Sequence, residues 1–431
     1  METTKIKAPK KIWSPLKKIS FRFFFSYFSL FIIFQNNTTY PFYKHVEELF
    51  NKVLYKIIPT IGETILGISY TIRTGPNGSG DTTYDYVLLF TIFIISILAC
   101  IIWSLLDRKR KHYKKMYYWL TVAIRFYIGL MLINYGMWKL IKLQFGYPSM
   151  QTLTQTFGES SPMRLAWTFL GFSKGYNIFM GLAEVAAVFL LFRRTLAFGL
   201  IITLATTANV MAVNYFYDVP VKITSTHLVM MTLFLLAYNF KELCDFFFFK
   251  KPVKLSIIAK PKVAKIPKII FLVLKILIIV NIGFGFYSTK QYQDRSLEGV
   301  NDTRIKGFYE VKSFVVNKDT ISRESRSGIK KWKYLFLKYK RFAMVKDYNN
   351  KGKWYKLKVD SLQNKFTLED YRDSLKKYDL RFEKKDSIFH IRGNFQKDTL
   401  SIKLIRTEEF RKKFLLTNRG FHWINERPLN R

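Results

Sequence analysis

Apolar runs of about 20 residues, separated by linkers rich in lysine and arginine, constrain this chain more than any other feature. A helix needs about that many mostly apolar residues to cross a bilayer. Residues 84–106 supply them with one acidic side chain, Asp85. On the same criterion we read seven spans, at 19–34, 84–106, 117–137, 176–192, 196–216, 227–240 and 269–287. Those at 19–34, 176–192 and 227–240 are short, as in tilted or re-entrant helices. The mean hydropathy is only +0.02 although 49% of residues are hydrophobic, so apolar and polar blocks are strongly segregated.

The formal net charge is +40. Such an excess suits nucleic acid or an anionic membrane surface, and its location decides between them. Arg108-Lys109-Arg110-Lys111 follows directly on Leu105-Leu106-Asp107. That is the pattern of helix-flanking anchors on anionic lipid head groups. The sequence has no zinc-finger spacing and no RNA-recognition motif, so lipid is the expected partner and nucleic acid is not. A membrane or soluble partner protein on the outer side is a further expectation.

With seven crossings, the N-terminal segment, residues 107–115, Arg193-Arg194 and residues 241–268 all fall on one side. These are the basic segments, so the positive-inside rule places them and the N-terminus in the cytoplasm of a bacterial inner-membrane protein. Residues 35–83, 138–174, 217–226 and the C-terminal domain then lie outside, in the periplasm. The first apolar run is followed by Gln35-Asn36-Asn37 rather than a small-residue cleavage site, which predicts an uncleaved signal-anchor. Linker 250–268, with Pro252, Pro261, Pro267 and many lysines, reads as a tether along anionic lipid.

The last part of the chain changes period. Tyr309/Val311, Tyr355/Leu357/Val359, Leu380/Phe382 and Leu400/Ile402/Leu404 alternate with polar residues. Turn signals separate them at Asn317-Lys318-Asp319, Asn349-Asn350-Lys351-Gly352, Lys384-Lys385-Asp386, Gly393-Asn394 and Lys397-Asp398. Runs of period two at about ten-residue spacing predict eight or nine strands, in a sandwich or an up-and-down barrel. The expected organisation is 1–116, a cytoplasmic tail, two spans and an outer loop; 117–240, a four-span bundle; 241–287, a basic linker and the last span; and 288–431, the β-rich domain.

Polar and ionisable groups inside a membrane are costly, so each marks a candidate site. Arg125, Asn134 and Lys139 lie in or end the 117–137 span, Glu184 lies in the next, and Asn209 and Asn214 in the one after. Asp218 and Lys222 follow, and His227 opens the 227–240 span. The alternating directions put most of these toward the outer half of the bundle. We therefore expect a polar pocket open to the outside, formed by Lys139, Glu184, Asn209, Asn214, Asp218 and His227, with Glu184 facing Lys139 or His227. Arg125, on the inner half, is expected to make a structural ion pair or a lipid contact. Asp81 or Thr82 can cap the helix that follows Gly78-Ser79-Gly80. The five histidines, His45, His112, His227, His390 and His422, show no HxxxH or HExxH spacing, so no metal site is expected. Cys100 and Cys244 form no CxxC, and the β-rich domain has no cysteine, which excludes a disulfide framework there.

The run Arg125…Gly129…Gly136-Met137-Trp138-Lys139-Leu140, followed by Gly181-Leu182-Ala183-Glu184, resembles the DoxX family of four-helix membrane proteins over about residues 117–240. Adding Gly78–Thr83, Ser161-Pro162-Met163, Tyr217-Asp218-Val219-Pro220-Val221-Lys222 and the closing Arg419-Gly420-Phe421-His422-Trp423-Ile424-Asn425-Glu426, the whole resembles longer DoxX-like proteins of the Bacteroidetes type. Gly307-Phe308-Tyr309-Glu310-Val311 is similar to the opening of a lipocalin-like barrel. The DoxX resemblance implies a four-helix core and, from some relatives, quinone-linked redox work. Without paired cysteines or haem ligands, such a role requires a quinone or a partner subunit. Two other readings stay open: a non-catalytic envelope-assembly protein acting through its β-domain, and an enzyme similar to the membrane-embedded vitamin K-dependent carboxylase, with Lys139 as its lysine base.

Overall fold

A computed structural model of the chain describes residues 12–261, 265–296, 304–325, 328–371, 373, 375–385, 388–395, 397–407, 410–420, 422–423 and 427. Part of the closing 419–426 motif and of the 250–268 linker lies outside these residues. The chain divides into two units, Met1–Tyr147 with Ser161–Ser288, and Pro148–Ser160 with Thr289–Arg431. The elements of the first two-thirds are α1 (Pro15–Phe34), α2 (Tyr43–Thr64), α3 (Thr83–Leu106), α4 (Lys114–Leu140), α5 (Met150–Leu153), α6 (Pro162–Phe172), α7 (Lys174–Val185), α8 (Leu196–Phe216), α9 (Lys222–Leu236), α10 (Phe240–Phe247) and α11 (Lys265–Ser296). All but α5 belong, wholly or mostly, to the first unit.

Among the described residues, six helical stretches are long and apolar enough to cross a membrane: Thr83–Leu106, Lys114–Leu140, Lys174–Leu191, Leu196–Phe216, Lys222–Phe247 and Leu272–Asp294. The chain is therefore a multi-pass membrane protein. Six of the seven expected spans correspond to these. The seventh is α1, where Lys17, Lys18 and Arg22 dilute the apolar character. Its aromatic face is nevertheless buried in the bundle core through Phe21, Phe28 and Phe31. Directions alternate around that core. Phe21 of α1 stacks on Tyr113 at the start of α4, and Tyr127 farther along α4 donates to Gln35 O at 2.7 Å, so α1 and α4 run parallel. On α9, Phe31 meets His227 and Phe24 meets Phe234, so α9 runs against α1.

The stretch 35–83, expected as a loop, holds the 22-residue helix α2. Six charged residues lower its hydropathy, but its apolar residues recur with helical period, and Ile58 and Gly62 pack inward. Thr82 caps α3 with Asp85 in a reciprocal box. Asp81 serves a different helix: its carboxylate accepts from Lys222 N at 2.6 Å and Ile223 N at 2.9 Å, at the start of α9.

One end of the bundle is tied by Arg22, which is almost fully buried. Its Nε and Nη2 donate to Tyr113 Oη at 3.0 and 2.8 Å, Nη1 to Ser104 Oγ at 2.9 Å and Nη2 to Asp107 O at 2.8 Å. Tyr113 in turn donates to Asp107 Oδ2 at 3.0 Å. The cluster joins α1, the end of α3 and the start of α4.

The second unit carries β1 (Gly307–Val316), β2 (Asp319–Thr320), β3 (Trp332–Tyr339), β4 (Phe342–Asp347), β5 (Gly352–Asp360), β6 (Lys365–Asp370), β7 (Lys377–Lys385), β8 (Ile388–Phe395) and β9 (Asp398–Arg406), followed by the short α12 (Leu415–Asn418). Eight long antiparallel strands follow one another around the sheet and β9 closes on β1, with β2 a two-residue addition to β1. Of the two predicted architectures, this is the barrel. Alternation sends Tyr309, Val311, Tyr355, Leu357, Leu380, Phe382, Leu400, Ile402 and Leu404 inward, as their period requires. Aromatic rings fill the interior: Tyr309 on Phe389 at 4.7 Å, Phe382 on Phe389 at 5.5 Å, and Tyr378 on Phe395 at 4.0 Å.

Gly393-Asn394, expected as a turn, lies within β8. The glycine is needed there because a Cβ would collide with the Asp379 carbonyl of β7. Strand β4 is buried on both faces. Its outer Met344 packs with Phe308, Phe336 and Met150 of α5, and Lys346 donates to Thr154 O at 2.7 Å and to Thr154 Oγ1 at 2.8 Å. Segment 148–160 thus belongs with the barrel, which no strand pattern in its sequence announces.

Two outcomes follow from these buried cations. Replacing Arg22 by Ala leaves the Tyr113 hydroxyl, the Ser104 hydroxyl and the Asp107 carbonyl without their buried donor and is expected to lower stability by about 3 kcal/mol, read by thermal unfolding in detergent. Burial, with Lys333 nearby, pushes Lys346 down to about 8 from 10.5. Between those values the unfolded chain binds more protons than the folded one, so barrel stability rises as pH rises from about 8 to about 10.5. Proteolysis of the β-unit in urea, compared at pH 7.5 and 10, checks this; Lys346→Met is expected to flatten the increment.

Candidate functional site

Two glycines set the geometry of the candidate site. A Cβ on Gly136 of α4 would stand 2.7 Å from Gly181 O, and one on Gly181 of α7 would stand 2.8 Å from Gly136 O. The two helices therefore approach backbone to backbone, the usual device of membrane helix packing. Two turns earlier on α4, Gly129 faces Ala187 and Leu191 of the 3₁₀ stretch that follows α7. The crossing brings Lys139, one turn after Gly136, against Glu184, one turn after Gly181.

Lys139 Nζ donates to Glu184 Oε2 at 2.6 Å, with the two side chains only 7% and 3% exposed. The ammonium also lies 5.4 Å from the Phe145 ring and 6.0 Å from that of Tyr135. An isolated charge here would be very costly, and a directly bonded opposite charge removes much of that cost. Asn177 lies on the same face of α7 as Gly181 and Glu184, at helical spacings of four and seven. Its amide nitrogen donates to Leu170 O at 2.7 Å and Ser173 O at 3.0 Å. Its Oδ1, like the Oε1 of Gln144 just beyond α4, is buried with no protein donor in reach. These two acceptors escaped the sequence reading; a search for amides at i−7 from Glu184 would have found Asn177.

Of the six residues predicted to form one pocket, only Lys139 and Glu184 meet each other as partners. Glu184 faces Lys139 and not His227. His227 is buried elsewhere, stacked on Phe31 at 3.8 Å, with Nδ1 at 2.7 Å from Ile223 O and Nε2 at 2.8 Å from Tyr27 Oη. A carbonyl only accepts, so Nδ1 carries the proton and Nε2 accepts from Tyr27. Asn214 is buried at the end of α8 and donates to Val221 O at 3.4 Å. Asn209 points from the outer surface of α8, and Asn134 is half-buried. Asp218 is exposed, in a left-handed backbone conformation, and pairs with Lys222 at 2.8 Å. Arg125 is buried and makes no carboxylate pair among the described residues; its Nε donates to Leu190 O at 2.7 Å. No group of three or more histidine, cysteine or acidic residues placed to hold a metal occurs among the described residues.

Fold and site together define a multi-pass helical membrane protein that carries a closed antiparallel β-barrel. Over 130 residues the chain is 34% identical to the uncharacterized protein YwoB of Bacillus subtilis (strain 168), covering 30% of this chain and 80% of that one. The chain belongs to the family of that protein. No family model matches the chain, and no solved structure matches it.

The close crossing predicts an asymmetric response to small substitutions. Gly136→Ala is expected to force α4 and α7 apart and cost about 2 kcal/mol. Gly146→Ala, where a Cβ meets open space, is expected to stay within about 0.5 kcal/mol of the parent. Thermal unfolding of the two variants in the same detergent makes the comparison.

Proposed function

We propose that this chain is a DoxX-like inner-membrane protein whose Lys139–Glu184 pair is the polar centre of a small-molecule site, with a quinone as the class of ligand. The observation that carries the reading is the ion pair itself, buried between two apolar helices and bonded at 2.6 Å. Quinone oxygens are acceptors when oxidised and donors when reduced. Lys139 offers a donor to a carbonyl, while Asn177 Oδ1, on the same helix face as Glu184, offers an acceptor to a hydroxyl. The site would thus match both redox forms without any cysteine of its own. In this reading the lysine-flanked ends face the cytoplasm and anionic lipid, and the barrel stands on the periplasmic side. A lysine base of the carboxylase kind is less well supported, because Glu184 already engages the Lys139 amine.

One observation favours a second reading, an envelope-assembly role. Aromatic side chains occupy the inside of the barrel, so this domain is better suited to contact through its outer surface than to enclosing a ligand.

Mass spectrometry of the detergent-extracted chain separates the two. The proposed site is expected to retain quinone near one per chain, and Glu184→Gln, at equal abundance, to lose at least about tenfold of it, as for a group bonded in a buried charged pair. Equal quinone content in the parent and the variant would leave the carboxylate with a purely structural task.

A further inference from the structure

A cavity of about 140 Å³ lies between the first half of α4, the Arg193-Arg194 turn with the start of α8, and the end of α9, apart from the Lys139–Glu184 pair. Arg125, Arg193 and Arg194 all line it, and none of the described residues that line it carries a carboxylate. Three guanidinium groups around one space repel one another unless an anion neutralises them.

The surrounding chain holds these groups in place. After α7 the helix tightens into a 3₁₀ stretch, Ala186–Leu191, and the Leu190 carbonyl accepts from Arg125 Nε at 2.7 Å. That bond holds the Nε side of the guanidinium of Arg125, which is almost fully buried and lines the cavity. Across from it, segment 255–258 forms a wall. Asn239 accepts from Ser256 N at 3.0 Å and donates to Ser256 O at 3.2 Å, while Arg193 Nη2 donates to Ile258 O at 2.7 Å.

The start of α8 adds a further source of positive potential. Thr195, its N-cap, makes no side-chain capping bond; its hydroxyl donates to Phe189 O at 2.8 Å. The first-turn residues Leu196 and Ala197 line the cavity, so the positive end of the helix dipole borders it.

We infer that this cavity binds a phosphate group, supplied either by the head group of an anionic lipid or by a free phosphate compound. Guanidinium forks match phosphate oxygens in pairs, which a chloride or a lone carboxylate cannot exploit as fully. The volume exceeds the roughly 30 Å³ share of one water and falls below the 300 Å³ or so of sites for drug-sized ligands. It therefore has room for a phosphate-sized group. The inference does not depend on the quinone reading, since it uses none of the same residues.

The test uses the full chain in a neutral detergent and reads the thermal unfolding midpoint. One arm adds inorganic phosphate against chloride at equal ionic strength. The other adds phosphatidylglycerol against phosphatidylcholine. At about a hundredfold excess over Kd, a rise of about 5 °C is expected in at least one arm. A rise with phosphatidylglycerol alone assigns the site to a lipid phosphate; a rise with inorganic phosphate assigns it to soluble phosphate as well. In the double variant Arg193→Gln/Arg194→Gln, the rise is expected to fall below about 2 °C. If that variant does not accumulate, Arg194→Gln, at an exposed side chain, takes its place under the same criterion. No rise in either arm, or an undiminished rise in the variant, overturns the site.

Discussion

The helical unit depends on a contact between two backbones. Because Gly136 and Gly181 have no side chains to hold their helices apart, α4 and α7 close to the distance at which Lys139 reaches Glu184. Any larger residue at either position widens the crossing, and a charged pair among apolar helices tolerates little widening. Its Coulomb attraction must offset desolvation over a bond of 2.6 Å. The glycines are thus a condition for the ion pair, and the ion pair is the centre of the proposed site.

The same physical demand organises the other buried polar groups. Apolar surroundings offer no partner, so each group finds one within the protein or stands out as an exception. Arg22 uses all of its guanidinium nitrogens on Tyr113, Ser104 and Asp107. His227 engages both ring nitrogens. The exceptions in the helical unit are informative for that reason: Asn177 Oδ1 and Gln144 Oε1, with the hydroxyls of Thr39, Tyr84 and Thr203, are buried with no partner among the described protein groups.

Legibility differed between the two units. Strand alternation is local, and Tyr355/Leu357 or Leu400/Ile402/Leu404 declare their inward face in three to five letters; the aromatic interior follows from them. Helix α2 was missed because its charges hide a helical period from a hydropathy reading. Gly393-Asn394 reads as a turn because a glycine-asparagine pair usually marks one, whereas here a neighbouring carbonyl requires the space. In the site, Lys139 and Glu184 were legible because charges in apolar runs are conspicuous. The expected single pocket was not found as one group: Asn209 faces outward, Asp218 is solvent-exposed, and His227 pairs with Tyr27.

By itself, the sequence determined the membrane-crossing helices, the basic flanks and the alternation that builds a barrel, since each depends on composition or on the regular spacing of neighbouring residues. Tertiary structure alone decided that Glu184 pairs with Lys139, that Asp81 caps α9, that segment 148–160 joins the barrel, and that Arg125 meets the Arg193-Arg194 pair at one cavity. These are meetings between residues far apart in the chain. Their distances depend on how helices cross and sheets close, which no local pattern encodes.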